Sequence, residues 1–69
     1  MILTKREKQI LKEHYKRGFL VLSDFNNYFA NEYTIREKIR RLLIVGALQE
    51  GEYFKLMINK KKVKLDDID

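Results

Sequence analysis

Apolar residues recur along this chain in two periods, and the change from one to the other falls at Gly46. Before it, Ile35, Ile39, Leu42 and Gly46 are spaced by four, three and four, which at about 100° per residue sets them on one stripe of a helix. Tyr33, Glu37, Arg40 and Arg41 fall roughly opposite, with Arg36 and Lys38 on the flanks. This helix, predicted over about 32–45, therefore has an inside and an outside. Gly46 suits the left-handed residue that ends a helix, and Ala47-Leu48 then starts a short strand.

Upstream, Thr4 followed by Glu7 has the form of a capping box. It opens a first helix over about 4–17, with Ile10, Leu11, His14 and Tyr15 on its apolar face and Gly18 as its stop. Phe19-Leu20-Val21-Leu22 is too short for a helix and apolar enough for a buried strand over about 19–22. Ser23 is a good N-cap, and Phe25, Tyr28 and Phe29 give a second helix over about 24–30. The cap of the third helix is either Asn31, or Thr34 with Glu37 in a second capping box.

Beyond Gly46 the period becomes two. Phe54, Leu56 and Ile58 alternate with Lys55 and Met57, and Val63 and Leu65 alternate with Lys62 and Lys64. A turn at Asn59-Lys60 sets Leu56 opposite Val63 and Phe54 opposite Leu65. A competing register turns at Glu50-Gly51, pairs Leu48 with Tyr53 and leaves the later lysines in a third strand or a tail. Either way the pattern predicts a hairpin within about 47–66.

The order helix, strand, helix, turn, helix, hairpin resembles the winged helix-turn-helix family of DNA-binding domains. The most specific part is Thr34-Ile35, Ile39, Leu42 and Gly46-Ala47-Leu48, which is similar to that family's habitual run across the recognition helix and into the wing. Leu3-Thr4-Lys5-Arg6-Glu7 with Ile10-Leu11 is similar to the first helix of many such regulators, those of archaea, phages and archaeal viruses being closest in style. The resemblance implies a mainly helical α+β fold, one domain over 1–69 of order α-β-α-α-β-β, with a three-helix core and a C-terminal β-hairpin wing.

It further implies that the third helix enters the major groove, where Tyr33, Thr34, Arg36, Glu37, Arg40 and Arg41 would face double-stranded DNA. Arginine reaches guanine O6 and N7 together, and Thr34 at the helix start could bond a phosphate along with backbone amides. Glu37 either accepts from cytosine N4 or pairs with Arg40 or Arg41. The wing would offer Lys60, Lys61 and Lys62 to the adjacent minor groove or backbone, provided the Asn59-Lys60 register holds. The expected function is sequence-specific transcriptional regulation, as a repressor because no spare domain is seen. The alternatives are a protein-interaction module of the same fold or a non-specific architectural or replication-associated DNA binder. Leu43-Ile44-Val45 makes the last turn of the third helix apolar nearly all round. Part of it meets the core; the remainder lies under Ile2-Leu3 or the hairpin, or forms a contact with Tyr28 or Tyr53 in a homodimer, the expected state for readers of two half-sites.

Composition narrows the chemistry. A chain of 69 residues with no cysteine has no disulfide to help it, and a core this small supplies only about 3–5 kcal/mol. The single His14 cannot make a structural zinc site alone and reads as a core-edge histidine. Ser23 has no base to activate it, so neither an enzyme nor a cofactor is expected. The net charge is +5, with six Lys/Arg against two acids in residues 1–18 and four against one in 35–49. Lys60, Lys61, Lys62 and Lys64 bunch near the end, before a frayed acidic tail of Asp66, Asp67 and Asp69. Clustered positive charge points to a polyanion. Met1-Ile2-Leu3 gives way at once to charge, unlike a signal peptide, and no apolar run approaches a membrane span, so a cytoplasmic location is expected.

Overall fold

The computed structural model describes residues 2–68; Met1 and Asp69, the last of the predicted acidic tail, lie outside the described residues. Helix α1 (Lys5–His14) starts at the predicted capping box: Thr4 Oγ1 accepts from the Glu7 amide at 3.2 Å, and Glu7 Oε1 accepts from the Thr4 amide at 2.7 Å. Ile10 and Leu11 are fully buried on its inner face. The helix stops short of the predicted residue 17 because its last turn tightens, Tyr15 donating to Lys12 O, before Gly18 reverses the chain at φ +90°.

Strand β1 (Phe19–Leu20) is half the predicted length, and a 3-10 helix (Leu22–Asn27) replaces the predicted α-helix over 24–30. Asp24 sets the point where strand gives way to turn. Asp24 Oδ2 accepts from the Val21 amide at 2.8 Å, so that amide starts a turn instead of extending the strand, as a short carboxylate favours. Asn26 and Asn27 are poor residues for carrying the turn on as α-helix. Phe25 is fully buried beneath it, stacked on Phe29 with ring centroids 6.3 Å apart.

Helix α2 (Glu32–Ile44) is capped by Asn31, whose side chain accepts from the Thr34 amide at 2.8 Å, and not by Thr34. It buries Ile35 and Leu42 and ends as Gly46 predicts, at φ +84°. Ala47 N–H bonds back to Leu42 O at 2.9 Å and Gly46 N–H to Leu43 O at 3.2 Å, the paired closure of a Schellman motif.

Strands β2 (Leu48–Glu50) and β3 (Leu56–Ile58) join β1 in an antiparallel sheet of order β1-β3-β2. Leu48 faces Ile58, Gln49 faces Met57 and Glu50 faces Leu56. Both predicted registers are therefore wrong: the hairpin turns through residues 51–55, and neither Val63 nor Leu65 pairs with a strand. The reason is burial. Leu48 and Ile58, opposite each other, are both in the core, and this register leaves β3's other edge for Phe19 and Leu20. After β3, the Asn59 carbonyl accepts from the Lys62 and Val63 amides and its side chain from the Lys61 amide, curling Lys60–Lys62 into a turn that delivers Val63 to the core. As far as Ile68 the tail is ordered into α3 (Leu65–Ile68), which packs on α1 with Ile68 buried, and Asp66 and Asp67 face outward.

The architecture is thus α+β, with helices around a small antiparallel sheet and a core centred on Ile10, Leu11, Leu20, Phe25 and Leu42. Among the described residues no helix is long and apolar enough to cross a membrane.

Candidate nucleic-acid interface

Because Ile35 and Leu42 fix the inner stripe of α2, the outer stripe is presented to solvent at a set angle. Tyr33 is 74% exposed, and Arg36, Glu37 and Arg40 are exposed beside it. Arg36 donates to Glu32 at 2.7 Å, an exposed pair one turn apart that competing ligands break cheaply. Arg40 and Glu37 make no ion pair among the described residues, so the alternative in which Glu37 pairs with Arg40 or Arg41 is not realised. Thr34 is half-buried, and its amide is already satisfied by Asn31.

Arg41 departs from the expected outer face. It turns inward, donating from Nη1 to Glu7 Oε1 at 2.7 Å and from Nη2 to the Ile2 carbonyl. Glu7 is fully buried, and Lys38 Nζ stands 3.7 Å from its other carboxylate oxygen. Glu7 thus closes the α1 capping box and ties α1 to α2. Helical spacing missed this because it fixes only where the Arg41 backbone lies, and the side chain is long enough to reach around the helix.

Lys60, Lys61 and Lys62 are also displaced from the predicted wing. They follow β3, so they sit at the end of the sheet away from the hairpin turn. Lys60 Nζ lies 4.8 Å over the Tyr15 ring, and Lys62 lies so close to Gly46 that a β-carbon there would come within 2.8 Å of its ammonium. Those positions are the C-terminal ends of α1 and α2, where the helix dipole favours a cation.

What the hairpin does present is aromatic. Tyr53 and Phe54 occupy the centre of its turn at φ +56° and +63°, with Lys55 N–H bonded to Glu52 O at 3.1 Å. That is the geometry of a type I′ turn, which ordinarily selects Asn-Gly. The two rings are 85% and 95% exposed. They border a groove of about 1020 Å³ floored by Ile39 and Leu56, and Ile39 continues along α2 into an apolar strip with Leu43 and Ile44, flanked by Arg36 and Arg40. The adjacent aromatic pair after Gly51 was the signal in the sequence, masked there by its fit to a strand.

A polar cluster links α1 to the 3-10 helix. His14 Nδ1 donates to Ile10 O at 2.7 Å while Nε2 lies 3.7 Å from Asp24, and Arg17 pairs with Asp24 and stacks 4.4 Å over Phe19, whose ring also carries Lys55 at 4.5 Å. Burial would raise the Asp24 pKa, but the Val21 amide, Arg17 and then His14 outweigh it and hold the carboxyl below the usual aspartate range. Tyr28 donates to Glu13. That bond, then Gln9, lowers the Glu13 pKa, while burial and then the Glu13 bond push Tyr28 up to about 12. These are positioning contacts: no group of three or more His, Cys, Asp or Glu among the described residues is arranged to hold a metal.

No protein-family model, curated protein or solved structure matches this chain.

Proposed function

We propose that this chain is a winged-helix protein that binds double-stranded DNA, with α2 as the reading helix and the β2–β3 hairpin as the wing, and that it acts as a transcriptional regulator of the repressor kind. The observation that carries the reading is Arg40, exposed and without an ion pair among the described residues, between Arg36, Glu37 and Tyr33 on a helix whose inner stripe is anchored. Such a face suits base edges better than phosphates: arginine addresses guanine bidentately, and a carboxylate accepts from cytosine N4. The site is Tyr33, Arg36, Glu37 and Arg40, without Arg41 and without Lys60–Lys62.

Selection from a random duplex library at about 150 mM salt, where non-specific contacts weaken, tests it. An enriched motif whose binding falls by about 1–3 kcal/mol in Arg40→Ala, with the fold intact, is the expected result. Binding without enrichment favours an architectural role.

A second reading, a protein-interaction module that includes pairing with another copy, is favoured by exposed Ile44, continuing the half-buried Ile39 and Leu43, together with the exposed Tyr53-Phe54 turn. Ile44→Glu separates the two: it abolishes a partner contact or dimer, measured by sedimentation, and leaves monomeric DNA binding in place.

A further inference from the structure

The net charge of +5 is not where the α2 arginines are. Arg36, Arg40 and Lys55 share the α2 and hairpin surface with Glu32, Glu37, Glu50 and Glu52, which more than cancels them. Arg41 and Lys38 are engaged with buried Glu7. The excess lies on α1 and on the turn after β3. On α1 the buried residues are Glu7, Ile10 and Leu11, so Lys5 and Lys8, three residues apart, fall on the outward side, and Lys16 is exposed in the turn that follows the helix.

The turn is fastened to that helix. Tyr15, just beyond α1, donates its hydroxyl to Val63 O at 2.9 Å, Lys60 lies over the same ring, and Lys8 and Lys62 line one depression of about 390 Å³. Asp67 is the acidic member of that lining. Lys5, Lys8, Lys16 and Lys60–Lys62 are all exposed, and none makes an ion pair among the described residues. Unpaired, clustered ammonium groups repel one another, and an anionic polymer relieves that repulsion while releasing its own counterions.

We infer that the outward side of α1 and the Lys60–Lys62 turn form a second nucleic-acid surface, which grips the phosphate backbone whatever the sequence. Lysine is the right donor for it, a point charge on a flexible stem that needs no fixed geometry. The apolar side of α1 is spent on the core, so this face carries charge with no apolar ridge from the helix to sink into a bilayer, which favours a polyphosphate backbone over a lipid surface. The turn is separated from the hairpin tip by the length of β3, about 10 Å for three residues. A chain with two such faces can hold backbone with one and read bases with the other, or join two duplexes.

The test is fluorescence anisotropy of the full chain with two labelled 20-base-pair duplexes of unrelated sequence, from about 50 to 200 mM salt. Three variants are compared with wild type: Lys60→Gln/Lys61→Gln/Lys62→Gln, Lys5→Gln/Lys8→Gln/Lys16→Gln, and Arg36→Ala/Arg40→Ala. Each phosphate contact contributes about 0.9 to the slope of log affinity against log salt. Each lysine triple should therefore flatten the slope by about 2 to 3 and weaken binding of both duplexes at least tenfold at 50 mM salt. The arginine pair should leave most of the slope in place. The α1 triple leaves the Asn59 turn untouched, so loss in both triples with unchanged circular dichroism cannot come from disturbing that turn. An unchanged slope in both triples overturns the inference, whether or not the arginine variant loses base recognition. Wild type that binds vesicles of phosphatidylcholine with 30% phosphatidylserine but neither duplex also overturns it.

Discussion

Replacing Arg41 by alanine should cost far more stability than replacing its neighbour Arg40, although both read as exposed arginines on one helix. Arg41→Ala removes the guanidinium 2.7 Å from a carboxylate that is fully buried. Breaking a buried ion pair from one side costs about 3–5 kcal/mol. Two features reduce that here: the Arg41 side chain is 37% exposed, and Lys38 remains 3.7 Å from the second Glu7 oxygen. The expected loss is about 2–3 kcal/mol, a large part of the roughly 3–10 kcal/mol available to a domain of this size. In urea, with a slope near 1 kcal/mol per molar for so small a chain, the midpoint should fall by about 2–3 M; thermally, by about 10–20 °C. Arg40→Ala should stay within about 0.5 kcal/mol of wild type. A double-mutant cycle with Glu7→Gln, which keeps an acceptor for the Thr4 amide, should return a coupling of about 1–3 kcal/mol. If Arg41→Ala melts with wild type, or the cycle gives no coupling, Glu7 is not held by Arg41 and the account of how α1 is tied to α2 fails.

Asp24→Asn should cost about 1 kcal/mol at neutral pH, as loss of a turn-capping carboxylate does. Because the folded Asp24 pKa lies below its ordinary 3.8, its stabilisation is complete above that value and disappears as the pH falls through the folded one; the variant should flatten this part of the acid limb of a urea-midpoint titration, and an unchanged limb refutes it. Tyr28 works in the opposite direction: its pKa is raised from 10.0 to about 12, so its contribution is complete below pH 10 and lost as the pH rises through about 12. An absorbance titration at 295 nm should show a tyrosinate step there that vanishes in Tyr28→Phe. Tyr53→Asn/Phe54→Gly should stabilise the chain by about 1–3 kcal/mol, since it gives the left-handed turn the residues it favours; thermal melts check this, and a loss of stability would mean the two rings are packed and not displayed.

Local signals carried well into the structure. The Thr4–Glu7 capping box, the Ile35-to-Leu42 seam and the Gly46 stop all depend on groups within about one or two turns of each other, and the folded chain has little freedom to alter them. Hairpin register was not legible, because alternation over Phe54–Ile58 fits any partner strand equally well. It was decided by Leu48 and Ile58 entering one core and by β3 accepting on its other edge β1, a segment far away in the sequence. Nor does a capping glutamate disclose that it will also receive an arginine from a different helix.

The chain by itself therefore determined where α1 starts and α2 stops, which face of α2 is apolar, and that its charge is positive and clustered, since propensity, capping and period are properties of neighbouring residues. Only the tertiary structure decided which cations are free to act. It turned Arg41 inward to a buried carboxylate, carried Lys60–Lys62 away from the hairpin to the ends of α1 and α2, and left an aromatic pair at the turn. Each of these outcomes depends on which elements share a core, and the burial of one apolar face is what moves every side chain on the other.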